Sequence, residues 1–298
     1  MGALPTVSVM IPCFNAERSL RWAVASMLEQ TFTDWECLIV DDGSTDGTWE
    51  LLQQFDDPRI RLQRLRVNCG RGWARAAALE MATGRFLGMV DADDWIYPDK
   101  LSTQVAALQR SPEAGLVSSA MAITDGSGEI IGRQGPAREE LRAPLVRLGH
   151  SDLPHASSLL RIEVARDAGY DRSLRFSEDQ DLLVKVRRRH AACLLAAPSY
   201  VYAQPGSMSF AKMSASYAAQ LKIFSKYRRE EPLRALLLSA QAVAKREVYR
   251  GYYAAGLGER LVAQRWTRPA VAEVAAFERA RSAVASRVSS LESQWSTR

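Results

Sequence analysis

Residues 84–101, GRFLGMVDADDWIYPDKL, carry the strongest signal for the fold of this chain. Their apolar run Phe86–Val90 follows a glycine and is short, which is typical of a strand buried on both faces of a parallel sheet. Asp91, Asp93 and Asp94 come directly after this strand. Because open α/β sheets bind their ligands at the carboxyl ends of such strands, the stretch predicts an α/β protein with a ligand crevice there.

The acidic run permits two interpretations. In an extended chain Asp91 and Asp93 point the same way, because side chains alternate with a period of two, so both can bind one cation. Oxygen ligands suit Mg²⁺ or Mn²⁺, and these ions complete their shell with water and phosphate oxygens, which makes a diphosphate the natural guest. The alternative is an acidic turn that caps the helix predicted to begin at Pro98. The run alone does not decide between them.

Strand-like and helix-like segments alternate through the first half of the chain, which indicates a mainly parallel central sheet flanked by helices. The predicted strands are Val7–Ile11, Cys37–Val40, Ile60–Leu65, Phe86–Val90 and Gly115–Ala122. The predicted helices between them cover residues 16–30, 45–55, 71–82 and 98–110. Residues 133–177 mix loops and short elements, a helix pattern follows at Glu178–His190, and the pattern from about Ser214 onward is helical.

The composition is that of an ordinary globular chain: 298 residues, 47% of them hydrophobic, with a formal net charge of +5. The positive charge favours acidic partners, but the aromatic and basic signature of a nucleic-acid module is missing, so we expect no nucleic acid as partner. The cysteines lie far apart, which indicates reduced residues in or near the core. No signal-peptide pattern is visible, and no apolar stretch approaches the roughly 20 residues of a spanning helix, so we expect a cytoplasmic protein.

A second acidic cluster, DDGSTDG at residues 41–47, follows the predicted strand Cys37–Val40. A tight turn into a helix explains its glycines and capping residues. It does not explain Asp41, whose carboxylate at the strand's end can accept hydrogen bonds from a nucleobase or ribose. After the first strand, Phe14 offers a ring that can pack on a base. Glu17 is a further candidate for substrate binding, with complementation of a helix dipole as its alternative role.

A third acidic group, Glu178, Asp179 and Asp181, stands at the start of a predicted helix. Acids in a first turn complement the helix dipole, which is the structural alternative. Three acids exceed what capping needs, so we expect this group to contribute to the same crevice.

Five segments of the sequence occur together and in order. They are VSVMIPCFNAE at 7–17, LIVDDGSTDGT at 38–48, NCGRGWARAAAL at 68–79, GRFLGMVDADDWIYPDKL at 84–101 and FSEDQDLLVKV at 176–186. With them the sequence resembles the family 2 glycosyltransferases of the GT-A fold, over about the first two thirds of the chain. The resemblance implies a GT-A domain at residues 1–213, with a nucleotide-sugar-binding half at 1–124 and an acceptor-side half at 125–213. Residues 214–298 would form a helical C-terminal region that packs on the sheet or lies on a membrane surface.

The resemblance also implies how the donor is bound. Asp41 would hold the uracil or other base, and Pro12 and Phe14 would line the nucleotide pocket. Asn68 and Arg75 would lie near the diphosphate or the base edge.

The same resemblance implies how the sugar is transferred. Asp93 would bind a divalent cation, Mn²⁺ or Mg²⁺, that bridges the diphosphate oxygens, and Asp91 would contact the ribose or the metal shell. Asp179 would be the general base that takes the proton of the acceptor hydroxyl, with Glu178 as a contact to the acceptor or sugar. The transfer would invert the anomeric centre without a covalent intermediate.

Two positions depart from the family pattern. Ala76 stands where an Asn often follows the Ala-Arg pair, and Gln204 stands where many members have a His that would assist the metal or diphosphate. Two further acids are expected to have supporting roles: Asp94 caps the turn that follows it, and Asp181 is a supporting charge.

The implied function is transfer of a sugar from a nucleoside-diphosphate sugar, with UDP-sugar as the expected donor. The acceptor would be a hydroxyl of a saccharide or lipid-linked molecule in cell-surface polysaccharide or glycolipid synthesis, with peripheral contact at the inner face of the membrane. A metal-dependent nucleotidyltransferase is one alternative, but it should carry a Gly-rich loop after the first strand, where Cys13–Ala16 has no glycine. A sugar-nucleotide-binding module with impaired catalysis is the other, motivated by the two departures and opposed by the retained acids.

Overall fold

The computed structural model describes residues 4–151, 153–203, 209–258 and 266–296. The strands are β1 (Val7–Cys13), β2 (Trp35–Asp41), β3 (Ile60–Arg64), β4 (Phe86–Met89), β5 (Trp95–Ile96), β6 (Ala114–Thr124), β7 (Ile130–Gln134), β8 (Glu140–Arg142), β9 (Ser158–Arg161) and β10 (Ala191–Tyr202). The helices are α1 (Leu20–Leu28), α2 (Thr48–Leu52), α3 (Arg71–Met81), α4 (Lys100–Arg110), α5 (Ile162–Ala168), α6 (Glu178–Arg187), α7 (Phe210–Ser225), α8 (Pro232–Ala254) and α9 (Val271–Ser296).

The described strands form one sheet in the order β3-β2-β1-β4-β9-β6-β10-β5, with β7 beside β6 and β8 beside β10. The pairs β1–β2, β1–β4, β2–β3 and β6–β10 are parallel and make the longer ladders. Strand β9 is antiparallel to both β4 and β6, which joins the two parallel parts. The predicted α/β class with a mainly parallel sheet is therefore confirmed, with antiparallel pairs at β5, β7, β8 and β9.

Helices cover both faces of the sheet and create two apolar cores. On one face α1, α2 and α4 pack on the strands, with Leu20, Leu52 and Leu101 fully buried or nearly so. On the other face α3, α5 and α6 do the same through residues such as Ala78 and Leu182. Both faces of β1 and β2 are thus covered, which is why these strands have continuous apolar runs.

The helices after residue 209 divide into two packed groups. Helices α7 and α8 pack on each other and on Leu148, Leu174 and Val184. Helix α9 instead returns to α1 and β5, where Phe277 packs in a cluster with Trp95. Within the described residues, no helix has both the length and the apolar character that crossing a bilayer requires.

The first helix begins later than its sequence pattern suggested, at Leu20 rather than near residue 16. The cause is a set of hydrogen bonds that hold the preceding loop in a non-helical conformation. Asn15 N donates to Ser44 Oγ at 2.9 Å and Ala16 N donates to Thr48 Oγ1 at 2.8 Å. The loops after β1 and β2 are therefore tied together at the sheet edge where the strand-exit acids lie.

Candidate active site

Strands β2 and β4 flank β1 and run parallel to it, so the carboxyl ends of all three strands lie on the same side of the sheet. Asp41, the last residue of β2, is fully buried. Its Oδ1 accepts a hydrogen bond from Ser44 N at 3.0 Å, and its Oδ2 lies 3.2 Å from Nε of Arg64. In this structure Asp41 therefore shapes the turn after β2 and holds an arginine beside it.

Asp42 fixes the loop that leads into α3. Its two carboxylate oxygens accept hydrogen bonds from the backbone N–H groups of Cys69 and Gly70, each at 2.8 Å. Burial raises the pKa of Asp42, while these bonds counteract the rise. Gly43, at φ +70°, has the backbone of residues 67–68 so close that an added Cβ would lie 2.6 Å from a carbonyl carbon. Asn68 lies in this loop and is exposed.

The loop after β1 contributes an apolar wall. Pro12 is buried within β1, and Phe14 at the strand's exit is 45% exposed. Glu17 accepts a hydrogen bond from Gly47 N at 3.2 Å through Oε2, so its carboxylate supports the turn before α2. The structure thus brings Pro12 and Phe14 to the edge where Asp41 lies.

The members of the run after β4 have different environments. Asp91 is partly buried, Asp93 is exposed and Asp94 is buried. Desolvation and the neighbouring charge of Asp91 raise the pKa of Asp93. Asp93 is thus the accessible acid of the run, and the neighbouring carboxylate of Asp91 disfavours its charged form.

Asp94 does not cap the following turn, so that expectation was wrong. Its Oδ2 accepts a hydrogen bond from the Tyr200 hydroxyl at 2.6 Å, and its Oδ1 accepts one from Ala203 N at 2.8 Å. The same hydroxyl accepts a hydrogen bond from Asp91 N at 3.1 Å. Strand β10 lies close enough to satisfy this buried carboxylate, and the partner is more than 100 residues away in the sequence, so no local pattern could reveal it.

Arg75 joins the strand-exit acids to the acids of α6. Its guanidinium is buried and donates from Nη1 to Glu178 Oε1 at 2.5 Å and from Nη2 to Asp91 Oδ1 at 3.1 Å. Burial lowers the pKa of Arg75, but the negative charges of Glu178 and Asp91 raise it by more than burial lowers it. The guanidinium therefore stays protonated. An arginine fork is suited to hold two carboxylates at a defined separation.

Glu178 is 1% exposed, and its Oε1 is used by Arg75. Among the described residues its Oε2 has no hydrogen-bond partner. Desolvation raises the pKa of Glu178, while Arg75 and Arg71 counteract the rise. Its carboxylate therefore holds the arginine in place, and it lies behind the accessible surface of the crevice.

Helix α6 begins in an unusual backbone conformation at Ser177, which has φ 58°. The Ser177 hydroxyl lies 2.7 Å from that of Ser216 on α7. Asp181 is fully buried and pairs with Lys185 at 2.7 Å and with Lys226 at 2.5 Å, so its charge anchors α7. Asp179 is the partly exposed acid of the three, which leaves its carboxylate accessible to a substrate.

Two basic residues near the site, Arg71 and Lys212, were not predicted from the sequence. Arg71 Nε lies 3.7 Å from Glu178 Oε1, and its guanidinium lies over the Phe176 ring. The positive charges of Arg71 and Lys212 both act to lower the pKa of Asp93, which places them near the acidic run. Arg71 opens α3, and cationic side chains at a helix N-terminus are suited to anions, which is the signal that could have identified it.

The donor set fits a cation that takes most of its ligands from elsewhere. Within the ranges that the structure describes, no group of three or more His, Cys, Asp or Glu residues could hold a metal ion alone. Mg²⁺ and Mn²⁺ need only one or two carboxylates when water and phosphate complete their shell. Asp93 and Asp91 would be such a pair, and desolvation together with the charge of Asp91 raises the pKa of Asp93. Gln204 lies outside the described residues.

Comparison with known proteins identifies the family. Residues 8–169 match the family described as Glycosyl transferase family 2. The chain belongs to glycosyltransferase family 2. The chain is 40% identical over 126 residues to the putative teichuronic acid biosynthesis glycosyltransferase TuaG of Bacillus subtilis (strain 168), a match that covers 41% of this chain and 50% of TuaG.

A second relative is UDP-Glc:alpha-D-GlcNAc-diphosphoundecaprenol beta-1,3-glucosyltransferase WfgD of Escherichia coli. It is 36% identical over 105 residues, a match that covers 35% of this chain and 42% of WfgD. The chain thus spans about half or less of the length of these curated relatives.

Solved structures show the same GT-A fold. S. aureus TarS 1–349 in complex with UDP-GlcNAc superposes with a TM-score of 0.61 at 19% identity, covering 80% of this chain and 71% of that chain. The mannosyltransferase PcManGT from Pyrobaculum calidifontis, in complex with GDP-Man and Mn²⁺, gives a TM-score of 0.57 at 19% identity, covering 96% of this chain and 87% of that chain. The GT-A fold predicted from the sequence is therefore confirmed.

Proposed function

We propose that this chain is an inverting glycosyltransferase that moves a sugar from a UDP-sugar to a hydroxyl of a saccharide or lipid-linked acceptor. The observation that carries the proposal is the buried Arg75 bridge between Asp91 and Glu178. This bridge joins Asp91 at the exit of β4 to Glu178 at the start of α6. It supports separate tasks for two acidic groups, the strand-exit acids for the donor and the α6 acids for the acceptor. Transfer from a nucleotide sugar needs one group that binds the donor diphosphate and another that activates the acceptor hydroxyl, on either side of the anomeric carbon.

On the donor side, the roles follow the position of each residue. Asp41 receives the base, with Pro12 and Phe14 as the wall of its pocket, and Asn68 in the exposed loop contacts the base edge or diphosphate. Arg75 and Asp91 hold the ribose and diphosphate end. Arg71 adds a positive charge near the diphosphate, where negative charge grows as the leaving group departs.

On the acceptor side, Asp179 takes the proton of the acceptor hydroxyl as its oxygen attacks the anomeric carbon. The bond between that carbon and the diphosphate oxygen breaks as the new glycosidic bond forms, so the anomeric centre inverts. Glu178 acts on the sugar through Arg75, since its own carboxylate is buried. A divalent cation, Mn²⁺ or Mg²⁺, held by Asp93 with Asp91 would neutralise the charge of the diphosphate.

The choice of UDP-sugar is supported by the structure of TarS with UDP-GlcNAc, although GDP-Man in PcManGT shows that the same fold accepts another base. The name of WfgD, which acts on a diphosphoundecaprenol-linked sugar, supports a lipid-linked acceptor. The name of TuaG, a putative teichuronic acid biosynthesis glycosyltransferase, supports polysaccharide synthesis. A nucleotidyltransferase is disfavoured because the loop after β1, residues 13–16, lacks glycine. Impaired catalysis is disfavoured because Asp179 is accessible and the Arg75 bridge is complete.

The test uses the purified chain with UDP-, GDP- and dTDP-sugars and Mn²⁺ or Mg²⁺, and it measures both donor binding and release of nucleoside diphosphate. We expect Asp93→Ala to lose cation-dependent donor binding. Asp179→Asn should keep donor binding but lose transfer by about 10²-fold or more, because the general base is gone. Asp99→Asn, an exposed acid at the start of α4, is the matched control and should behave as wild type.

Three results would contradict the assignments. Release of pyrophosphate instead of nucleoside diphosphate would indicate a nucleotidyltransferase. Unchanged cation-dependent binding in Asp93→Ala would remove Asp93 from the metal site. Full transfer by Asp179→Asn would require another base.

A further inference from the structure

Helix α8 has an apolar face that no other part of the described chain covers. Its inner side is buried against α7 through Ala235, Leu238, Ala242 and Tyr249. Its outer side carries Leu233 at 83% and Leu236 at 66% exposure, and the stripe continues along the helix. The further exposed apolar members are Leu237, Val243 and Val248. Isolated exposed leucines are ordinary, but a contiguous stripe along a long helix indicates an interaction surface.

The charges beside this stripe favour an anionic partner. Between Pro232 and Ala254 the helix carries four cations, Arg234, Lys245, Arg246 and Arg250, against the single acid Glu247. At 3.6 residues per turn, Arg234 and Lys245 lie on one flank of the stripe and Arg250 on the other. Glu247 falls within the stripe, where Arg246 and Arg250 both pair with it. Long basic side chains in such positions keep their stems on apolar surface and extend their charges to its rim. Arg228 and Arg229, both exposed, precede the helix, and the two acids that follow them, Glu230 and Glu231, pair with Arg188.

An apolar stripe with cationic flanks matches the interface of an anionic lipid bilayer. A helix of this kind lies in the plane of the interface, with its apolar face among the acyl chains and its cations among the headgroups. Each nearby Lys or Arg adds to the attraction of an anionic leaflet. A second protein copy would have to present acidic residues around an apolar groove, whereas α8 offers its own copy four cations and one acid, Glu247.

The stripe also leads toward the candidate active site. Tyr253, near the end of α8, lies 6.0 Å from the ring of Phe210, the first residue of α7. Tyr249 lies 5.9 Å from Tyr217 in the same pair of helices. Lys212 follows Phe210 and lies near Asp93. The C-terminal end of α8 therefore lies beside the first turn of α7, whose Lys212 acts on the pKa of Asp93.

We propose that the outer face of α8 docks this chain on an anionic membrane surface. The docked helix brings the crevice to the bilayer, where an acceptor with a lipid anchor can enter it. That consequence for the acceptor rests on the function proposed above, whereas membrane binding itself does not.

The experiment is co-flotation of the full chain with vesicles of phosphatidylcholine alone or mixed with phosphatidylglycerol. We expect the chain to bind the phosphatidylglycerol vesicles, with binding that weakens as salt screens the attraction. The double variant Leu233→Ser with Leu236→Ser should reduce the vesicle partition coefficient by at least about tenfold. Lys245→Gln with Arg229→Gln should weaken binding chiefly at low salt.

The controls use equally exposed residues elsewhere. Val146→Ser with Val271→Ser removes two apolar side chains that are 95% and 88% exposed outside α8, and it should bind vesicles as wild type does. Arg279→Gln on α9 is the matched charge control. Circular dichroism melting of each variant confirms that the fold is retained, which is expected because the changed side chains face solvent.

The proposal is overturned if wild type does not float with the phosphatidylglycerol vesicles at low salt. It is also overturned if the α8 variants bind these vesicles as well as the control variants do. It is also overturned if wild type is a dimer by analytical ultracentrifugation and the leucine variant is a monomer, since a second copy then covers the stripe. Transfer to a water-soluble acceptor is measured in parallel: if wild type binds vesicles but transfers no sugar, the proposed function fails while the docking surface stands.

Discussion

At the scale of single residues, Tyr200 shows how one hydroxyl sets the geometry of the acidic run. It donates to Asp94 at 2.6 Å and accepts from Asp91 N at 3.1 Å, and it is completely buried. Tyr200→Phe leaves the buried Asp94 carboxylate without one partner, which we expect to lower the free energy of unfolding by about 1–3 kcal/mol. Urea denaturation measures the change.

A matched control is available in Tyr97, which is also buried but whose hydroxyl has no hydrogen-bond partner among the described residues. Tyr97→Phe should lower the free energy of unfolding by less than about 0.5 kcal/mol, or raise it, because no hydrogen bond is lost. Equal losses in the two variants would mean that the Tyr200 hydroxyl has no special role.

The same scale shows what the sequence could reveal about the site. The positions of Asp41 and Asp91 at strand exits were predictable, because strand patterns are local and parallel strands end at a common edge. The Arg75–Glu178 pair was not, since its partners are 103 residues apart and only the folded chain brings them together. The departure from expectation at Asp94 has the same cause: a local cap and a distant tyrosine compete, and tertiary packing decides.

At the scale of elements, α4 contains an unusual buried charge. Lys100 opens the helix, is 1% exposed and donates from Nζ to Gln104 Oε1 at 2.7 Å. Burial lowers its pKa from 10.5 to about 7. The positive end of the helix dipole also disfavours a cation at this position. The folded chain therefore holds a lysine that is neutral in mildly basic solution, whereas the unfolded chain keeps it protonated.

This difference predicts a pH dependence of stability. Between pH 7 and 10.5 the unfolded chain binds the extra proton, so this lysine makes the free energy of unfolding rise with pH by up to about 1.4 kcal/mol per unit. Lys100→Met removes this contribution. We expect the variant to exceed wild type in stability most at and below pH 7, with a difference that shrinks as the pH increases. Urea denaturation across this range measures it.

Lys222→Met, at an exposed position on α7, is the control and should show no such trend. A difference between Lys100→Met and wild type that is constant with pH would mean that Lys100 stays charged in the folded chain.

The helices and strands differed in how well the sequence pattern predicted them. Helix α3 was predicted within one residue of its end, because its alanines give a strong helical signal that no neighbour opposes. Strand β9, with four residues, and helix α5, with seven, were not predicted. Both lie in the stretch where short elements mix with loops, and β9 is recognisable only by its place between β4 and β6.

At the scale of the whole molecule, the C-terminal helix α9 supports the part of the fold that carries the acidic run. Phe277 is completely buried, with its ring centroid 5.6 Å from that of Trp95. Trp95 directly follows the acidic run, so α9 packs behind the turn that carries Asp93. Further along, α9 reaches α1, where Arg287 Nε lies 2.6 Å from Glu29 Oε1. The sequence predicted helices in this region but held no signal for which surface each would cover.

This packing predicts that a substitution in α9 changes the local stability of the acidic run. Phe277→Ala leaves a cavity against Trp95, which we expect to lower the free energy of unfolding by about 3–5 kcal/mol and to speed amide hydrogen exchange in residues 91–96. Val288→Ala, near the contact with α1, should cost about 1–2 kcal/mol and leave exchange in that peptide unchanged. Hydrogen-exchange mass spectrometry under native conditions separates the two effects. If both variants, or neither, speed exchange in residues 91–96, then α9 stabilises the molecule as a whole and gives no particular support to the turn that holds Asp93.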